Sequence, residues 1–273
     1  MVILFFGDVF GRPGRETLKK IIPIWHKKYK PDFVVANVEN IAHGNGVTEE
    51  TLDDLEKTGL FDVYTSGDHI VDKSEAKKIL QNDSYPLLRP LNYKDDYIGD
   101  GYKVVTSGAK RLLVINVLGK VFIKNGENLS NPLLVIDEVL EKYTINNSED
   151  EKEVVDAILV DVHAEATAEK RVLGSYLDGR VSAVLGTHTH VPTRDEQILP
   201  KGTAYISDVG MVGPYNSSLG IDFKNLTQEY LTDEKQKREI GDDPRVEIGA
   251  VLVHTNKDGL AQSIEHLRSV VQK

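Results

Sequence analysis

Short apolar runs recur along the chain, and each ends where turn chemistry begins: Val2–Phe6, Phe33–Asn37, Val63–Ser66, Ala157–Val162 and Ser182–Gly186. Unbroken runs of this kind, bounded by turn residues, predict strands buried on both faces. After the first, Leu18, Ile21, Ile22 and Trp25 repeat at helical spacing. That predicts a helix from Pro13, which suits a first turn, to about Tyr29. Pro23 lies inside this span and predicts a kink or a split there. Thr48 can cap a second helix with Glu49 and Glu50 in its first turn, and Lys73–Gln81 reads as a third, charged helix. The rhythm then changes. Tyr102–Thr106 and Leu112–Leu118 flank Ser107-Gly108-Ala109-Lys110, the pattern of an antiparallel hairpin. Polar, irregular Lys120–Asn131 precedes a helix near Pro132–Tyr143, acidic Asn146–Glu153 reads as a surface insertion, and Thr167–Leu177 as a helix. Gly202–Ile206 and Val246–His254 are further strands, and Asn256-Lys257-Asp258-Gly259 turns the chain into a last one near Leu260–Leu267. Gly210-Met211-Val212-Gly213-Pro214 can border the pocket, or its Gly and Pro can do no more than shape a turn. Polar, helix-prone Asp222–Asp243 reads as an arm or lobe over the surface, placed to contact another subunit. Without a linker or an exact repeat, residues 1–273 are expected to form one domain. Strand–loop–helix units, then hairpins, then more α/β predict a mixed sheet or two packed sheets flanked by helices.

Polar side chains that can do chemistry sit just past the ends of the buried runs. Gly186-Thr187-His188-Thr189-His190 puts two imidazoles one residue apart. If that segment is extended, alternation points both to one side. Asp8, Glu39-Asn40, Asp68-His69 and His163 occupy the same kind of position on other strands. Hydrophobic residues make up 40% of the 273, enough for a sizeable core. A net charge of −10 gives no general pull toward duplex nucleic acid or anionic lipid. A phosphate substrate would therefore need local positive charge, which bound cations can supply. There are no cysteines, which excludes disulfides and thiolate metal sites. No apolar run approaches the roughly 20 residues of a membrane span, and the short apolar N-terminus reads as a first strand rather than a signal peptide. The cytoplasm is the expected compartment.

Carboxylates and an amide oxygen favour hard or borderline divalent ions, and imidazole favours iron, zinc, copper and nickel. Asp8, Glu39, Asn40, Asp68, His163, His188 and His190 are too many donors for one tetrahedral ion. They suit two, with a shared carboxylate. Two metals about 3.5–4 Å apart can clamp both oxygens of an in-line phosphoryl displacement and lower the pKa of a bridging water to about 7. His69 is then placed to protonate the leaving alkoxide as general acid. The plainer readings are a helix cap for Asp8, a backbone-satisfied turn for Glu39-Asn40, and a structural pair with Asp72 for His69. Each weakens once the stations are taken together. His43, in a Gly-flanked loop, is a candidate contact for substrate phosphate. Gly7, Gly11 and Gly14 have the wrong spacing for a dinucleotide fingerprint.

In order and at plausible intervals, six blocks carry a resemblance that covers nearly the whole chain. They are Gly7-Asp8-Val9, Asn37-Val38-Glu39-Asn40-Ile41-Ala42-His43-Gly44, Gly67-Asp68-His69, Asp161-Val162-His163-Ala164-Glu165-Ala166-Thr167, Gly186-Thr187-His188-Thr189-His190-Val191 and Ala204-Tyr205-Ile206-Ser207-Asp208-Val209-Gly210-Met211. The chain resembles the calcineurin-like metallophosphoesterases and, within them, the YmdB-like branch of bacterial cyclic-nucleotide phosphodiesterases. The resemblance implies a four-layer α/β/β/α sandwich with mixed sheets and the site at the strand ends. Asp8, Glu39, Asn40 and His190 would hold one metal, Glu39 would bridge to the second, Asp68, His163 and His188 would complete it, and His69 would be the proton donor. The implied ions are two divalent metals, iron first, with manganese or magnesium as alternatives.

The implied reaction is hydrolysis of a small-molecule phosphodiester by a metal-bridging hydroxide, 2′,3′-cyclic nucleotides first and 3′,5′-cyclic nucleotides as an extension. A homo-oligomer is also implied. The rivals are a phosphomonoesterase or protein phosphatase on the same site, and a regulatory nucleotide-binding protein with little turnover. Two departures stand out. Phe10 occupies the place where most metallophosphoesterases have His, and Asn40 can supply the missing donor. Asp68 stands where the family has Asn. Its extra negative charge should hold the metals more tightly, make the bridging water less acidic and raise the pH optimum.

Overall fold

The computed structural model describes residues 1–94, 97–145 and 152–273. Of the acidic stretch Asn146–Glu153, residues 146–151 lie outside the described residues. In chain order the strands are β1 (Val2–Phe6), β2 (Asp8–Val9), β3 (Phe33–Asn37), β4 (Val63–Thr65), β5 (Tyr102–Ser107), β6 (Lys110–Leu118), β7 (Tyr143–Thr144), β8 (Glu153–Val154), β9 (Ala157–His163), β10 (Ala183–Thr187), β11 (Gln197–Ile198), β12 (Ala204–Ile206), β13 (Met211–Pro214), β14 (Arg245–Thr255) and β15 (Ala261–Gln272). The helices are α1 (Gly11–Tyr29), α2 (Glu49–Glu56), α3 (Ala76–Leu80), α4 (Pro132–Leu140), α5 (Thr167–Leu177) and α6 (Phe223–Thr232).

Period-two alternation within the apolar runs divides each buried strand between two cores. In β1, Ile3 and Phe5 face the second sheet, where they share a core with Val114 of β6, Leu159 of β9 and Leu185 of β10. Leu4 and Phe6 face the other way, onto Leu18, Ile22 and Trp25 of α1 and Leu52 and Leu55 of α2. The Phe6 and Trp25 rings stack at 5.6 Å. On the far side, Ile115, Val160 and Val184 pack against Ile136 and Val139 of α4 and Leu173 and Leu177 of α5. The result is the expected α/β/β/α sandwich with mixed sheets. One sheet runs β2-β13-β14-β1-β3-β4 with β15 on β14, and the other runs β11-β12-β10-β9-β6-β5. The strands that lead to the polar stations are parallel, β1–β3–β4 in one sheet and β9–β10 in the other, so their carboxyl ends lie together.

Four local expectations are corrected. Helix α1 is one continuous element through Pro23, because Pro23 lies on its exposed face, where the carbonyl left without an N–H partner meets water. The charged helix contracts to α3, preceded by a 3₁₀ turn over Asp68–Val71, since the chain past β4 is bent to serve the site. Met211–Pro214 is a strand, paired with β2 and β14, and not a turn. The 222–243 segment is helical only over α6; Ile221 bridges back to Ile240.

Candidate metal centre

Loops leaving five strand ends meet in one place. Asp8 lies in β2, immediately after β1 and Gly7. Glu39 and Asn40 follow β3, Asp68 and His69 follow β4, His163 is the last residue of β9, and His188 and His190 follow β10. Asp8, Glu39, Asn40 and His163 are almost wholly buried, and His190 is 7% exposed. Gly67 is required for the closeness: a Cβ there would stand 2.1 Å from Glu39 Oε2 and 2.3 Å from His163 Nε2.

The structure gathers the predicted donors into two groups that share one carboxylate. Ligand atoms of Glu39, Asp68, His163 and His188 lie within 4.8 Å of one another, as do those of Asp8, Glu39 and His190. His163 Nε2 is 3.1 Å from Glu39 Oε1 and 3.5 Å from Asp68 Oδ1. His188 Nδ1 is 3.0 Å from His163 Nε2 and 3.6 Å from Asp68 Oδ1. In the second group His190 Nε2 is 3.7 Å from Asp8 Oδ1 and 3.2 Å from Asn40 Oδ1, which adds the amide oxygen. Donors each about 2.1 Å from one ion stand roughly 3–4 Å apart, so both groups have the spacing a cation needs. Asp8 Oδ1 and Asp68 Oδ1 are buried without a hydrogen-bond donor, an arrangement that is costly unless a cation faces them.

The outer partners of the imidazoles decide which nitrogens carry lone pairs. The Thr187 hydroxyl gives its hydrogen to Asp161 Oδ1 at 2.7 Å, so it accepts from His163 Nδ1 at 2.9 Å. His190 Nδ1 donates to the Leu219 carbonyl at 3.1 Å, and His188 Nε2 to Glu165 Oε2 at 3.1 Å. In all three the other nitrogen points into the centre, the orientation of a metal-bound histidine steadied from behind. Asp161 also accepts from Asn37 Nδ2 at 2.9 Å and Thr65 Oγ1 at 2.5 Å.

Crowding of acids and imidazoles sets the charges. Burial alone would raise the pKa of Glu39 and Asp68, but the imidazole of His163, joined by its neighbours, outweighs it and holds both below the usual carboxylate range. Burial and the neighbouring His163 push His188 down to about 4. Burial would lower His163 too, yet Glu39, Asp68 and Asp8 lift it well above the imidazole norm. Burial raises Asp8, with only partial relief from His190 and His163.

His69 stands beside the groups rather than inside them. Its backbone N–H donates to Glu39 Oε2 at 3.2 Å, and its Nδ1 lies 2.8 Å from Asp72 Oδ2. His43 is exposed, has φ 60°, and lines a 520 Å³ cavity with Arg12, Arg15 and Thr48; none of the seven donors lines it. The extended geometry expected for the His188–His190 segment is not found. Both residues have positive φ, 96° and 61°, and this turn, rather than strand alternation, aims the two rings. Residue type alone does not mark Glu165, Thr187 and Asn37 as partners of the site. Asp161 was legible in principle, because it and His163 alternate onto one face of β9.

The pattern of the YmdB-like protein family matches residues 4–267. The 2′,3′-cyclic-nucleotide 2′-phosphodiesterase of Bacillus subtilis (strain 168) is 41% identical over 267 residues, covering 98% of this chain and 96% of that one. Among solved structures, a hypothetical protein from Thermus thermophilus aligns with a TM-score of 0.87 at 36% identity, covering 99% of each chain. A novel phosphatase of Mycoplasma pneumoniae aligns with a TM-score of 0.88 at 28% identity, covering 100% of this chain and 94% of that one.

Proposed function

This chain belongs to the YmdB-like family, and from that premise we propose that it is a metal-dependent phosphodiesterase of 2′,3′-cyclic nucleotides, with 3′,5′-cyclic nucleotides as secondary substrates. The observation that carries the reading is the pair of converging donor groups that share Glu39. Asp8, Glu39, Asn40 and His190 would hold one divalent ion, and Glu39, Asp68, His163 and His188 the other. Mixed imidazole and carboxylate donors suit borderline divalent ions, and the family resemblance points to iron first, with manganese or magnesium as alternatives. When bound, the two ions supply an activated water and positive charge for the phosphoryl oxygens.

The protein's own part is to place the proton. Water releases a proton to solvent as its oxygen adds to phosphorus, the bond to O2′ breaks, and the departing oxygen takes a proton from His69, which leaves a 3′-phosphate and a neutral ring that regains its proton from solvent. Asp72 engages Nδ1 of His69, so Nε2 is the atom that delivers it. Burial would lower the pKa of His69, but Glu39, Asp68 and Asp72 outweigh it and keep the ring protonated to higher pH than a free imidazole. The bond from the His69 backbone N–H to Glu39 ties this acid to the shared carboxylate. His43 serves as a contact for substrate phosphate on the strength of its loop position. One domain spanning 1–273 acts on a small molecule as a cytoplasmic homo-oligomer, without a membrane or duplex partner. Among the described residues no helix is long and apolar enough to cross a membrane.

The test is turnover of 2′,3′-cyclic AMP to 3′-AMP by protein loaded with Fe²⁺ or Mn²⁺. His69→Ala should lower kcat by about 10²–10⁴-fold while the metal content stays unchanged. Faster hydrolysis of p-nitrophenyl phosphate than of its bis ester would favour a phosphomonoesterase. Nucleotide binding without product would favour a regulatory protein.

A further inference from the structure

Lys170, on the first turn of α5, and Asp208, just past β12, are buried and have no role in this chemistry. They form an ion pair at 2.8 Å, with side chains 2% and 1% exposed. A fully buried charge pair is a poor source of stability, because desolvation offsets its attraction. What the pair touches points elsewhere. Asp208 Oδ2 accepts from Thr189 N–H at 3.1 Å and from the Thr189 hydroxyl at 2.7 Å. Its Oδ1 accepts from Gly210 N–H at 2.9 Å. Thr189 is the residue between the two histidines, both held at positive φ. Such backbone is strained for a residue with a side chain and persists only where its surroundings impose it. The preceding N–H, of His188, is taken by Asp8 Oδ2 at 3.1 Å. Consecutive amides of the turn are thus captured by two carboxylates, one from each side. Room for the Lys170 stem comes from Gly186, where a Cβ would lie 3.1 Å from Lys170 Cδ and 1.8 Å from the Ser207 carbonyl oxygen.

We propose that Lys170 and Asp208 are positioning residues that grip Thr189 and so hold His188 and His190 in the turn that aims one imidazole at each half of the dinuclear site. Lys170 holds Asp208 in place inside the protein through their 2.8 Å contact, and Asp208 transmits that fixed point to the turn. The inference rests on the metal-centre reading above. It adds that one buried anchor, set beside the hold of Asp8 on His188, bears on both imidazoles, so weakening it loosens both halves together.

The experiment measures Mn²⁺ binding to metal-free protein by calorimetry and elemental analysis, for wild type, Thr189→Val, Thr189→Ser and Lys170→Met. Thr189→Val keeps shape and removes the hydroxyl at a partly exposed position. It should weaken Mn²⁺ binding by about 10–100-fold, the usual loss for a residue that supports a metal ligand from behind, with the Tm of the metal-free protein within a few degrees of wild type. Thr189→Ser, which retains the hydroxyl, should restore wild-type affinity. Lys170→Met should weaken binding at least as much if it folds, and Thr189→Val carries the test if it does not. Wild type that takes up two ions alongside a Thr189→Val protein of equal affinity overturns the anchor alone. Wild type that takes up none overturns the metal centre itself.

Discussion

His69 and its neighbours make the residue scale accessible to titration. As the proposed general acid, His69 works in its protonated form, so kcat/KM should fall as pH rises through its pKa. Asp72 and Asp68 both raise that pKa. Asp72→Asn should therefore move the alkaline limb of the pH–rate profile to lower pH. Asp68→Asn should do the same, in keeping with the higher pH optimum expected from Asp68. A limb that stays in place in both variants would remove His69 as the titrating acid. The individual donors were visible in the sequence because acids and imidazoles at strand ends have few bland uses in combination. Their partners were not. Glu165 reaches His188 across a turn whose positive φ values no local pattern announces, and Thr187 looks like any other strand Thr until Asp161 is found beneath it.

At the scale of elements, α1 shows how tertiary packing overrides local preference. Trp25, Leu18 and Ile22 are buried against the first sheet, each contributing on the order of 1.5–3 kcal/mol. That is enough to carry the helix through Pro23. The proline still lacks an N–H and crowds the preceding turn. Pro23→Ala should therefore stabilise the protein by about 2 kcal/mol, since the helical gain exceeds the added freedom of the unfolded chain. The measurement is the urea midpoint, and an unchanged or lower midpoint would contradict it. Strands buried on both faces were readable from their apolar runs, as β1, β3, β9 and β10 show. The strands β2 and β13 were not. They have two and four residues, and Gly213 and Pro214 look like turn chemistry until β14 is there to pair with them.

At the scale of the molecule, each metal group draws on both sheets: Asp8, Glu39, Asn40 and Asp68 come from one, His163, His188 and His190 from the other. Bound ions should thus act as a clasp across the sandwich. Removing them with a chelator should lower Tm, and restoring metal at 100 times its Kd should return about 2.7 kcal/mol. His163 binds a proton more tightly than an ordinary imidazole in the metal-free state and must give it up to ligate. Metal affinity should consequently rise with pH, with proton release seen in a weakly buffered titration. Uptake without proton release at neutral pH would count against His163 as a ligand.

The division between the sheets also has a direction along the chain. All the oxygen donors precede residue 70 and all the nitrogen donors follow residue 160. A polypeptide emerging from the ribosome displays its hard ligands first and its imidazoles last. Ions that favour nitrogen would find their donors only once β9 and β10 have been made. A product stalled before His163 would carry only the oxygen donors, so any preference for imidazole-favouring ions could enter only with the later strands.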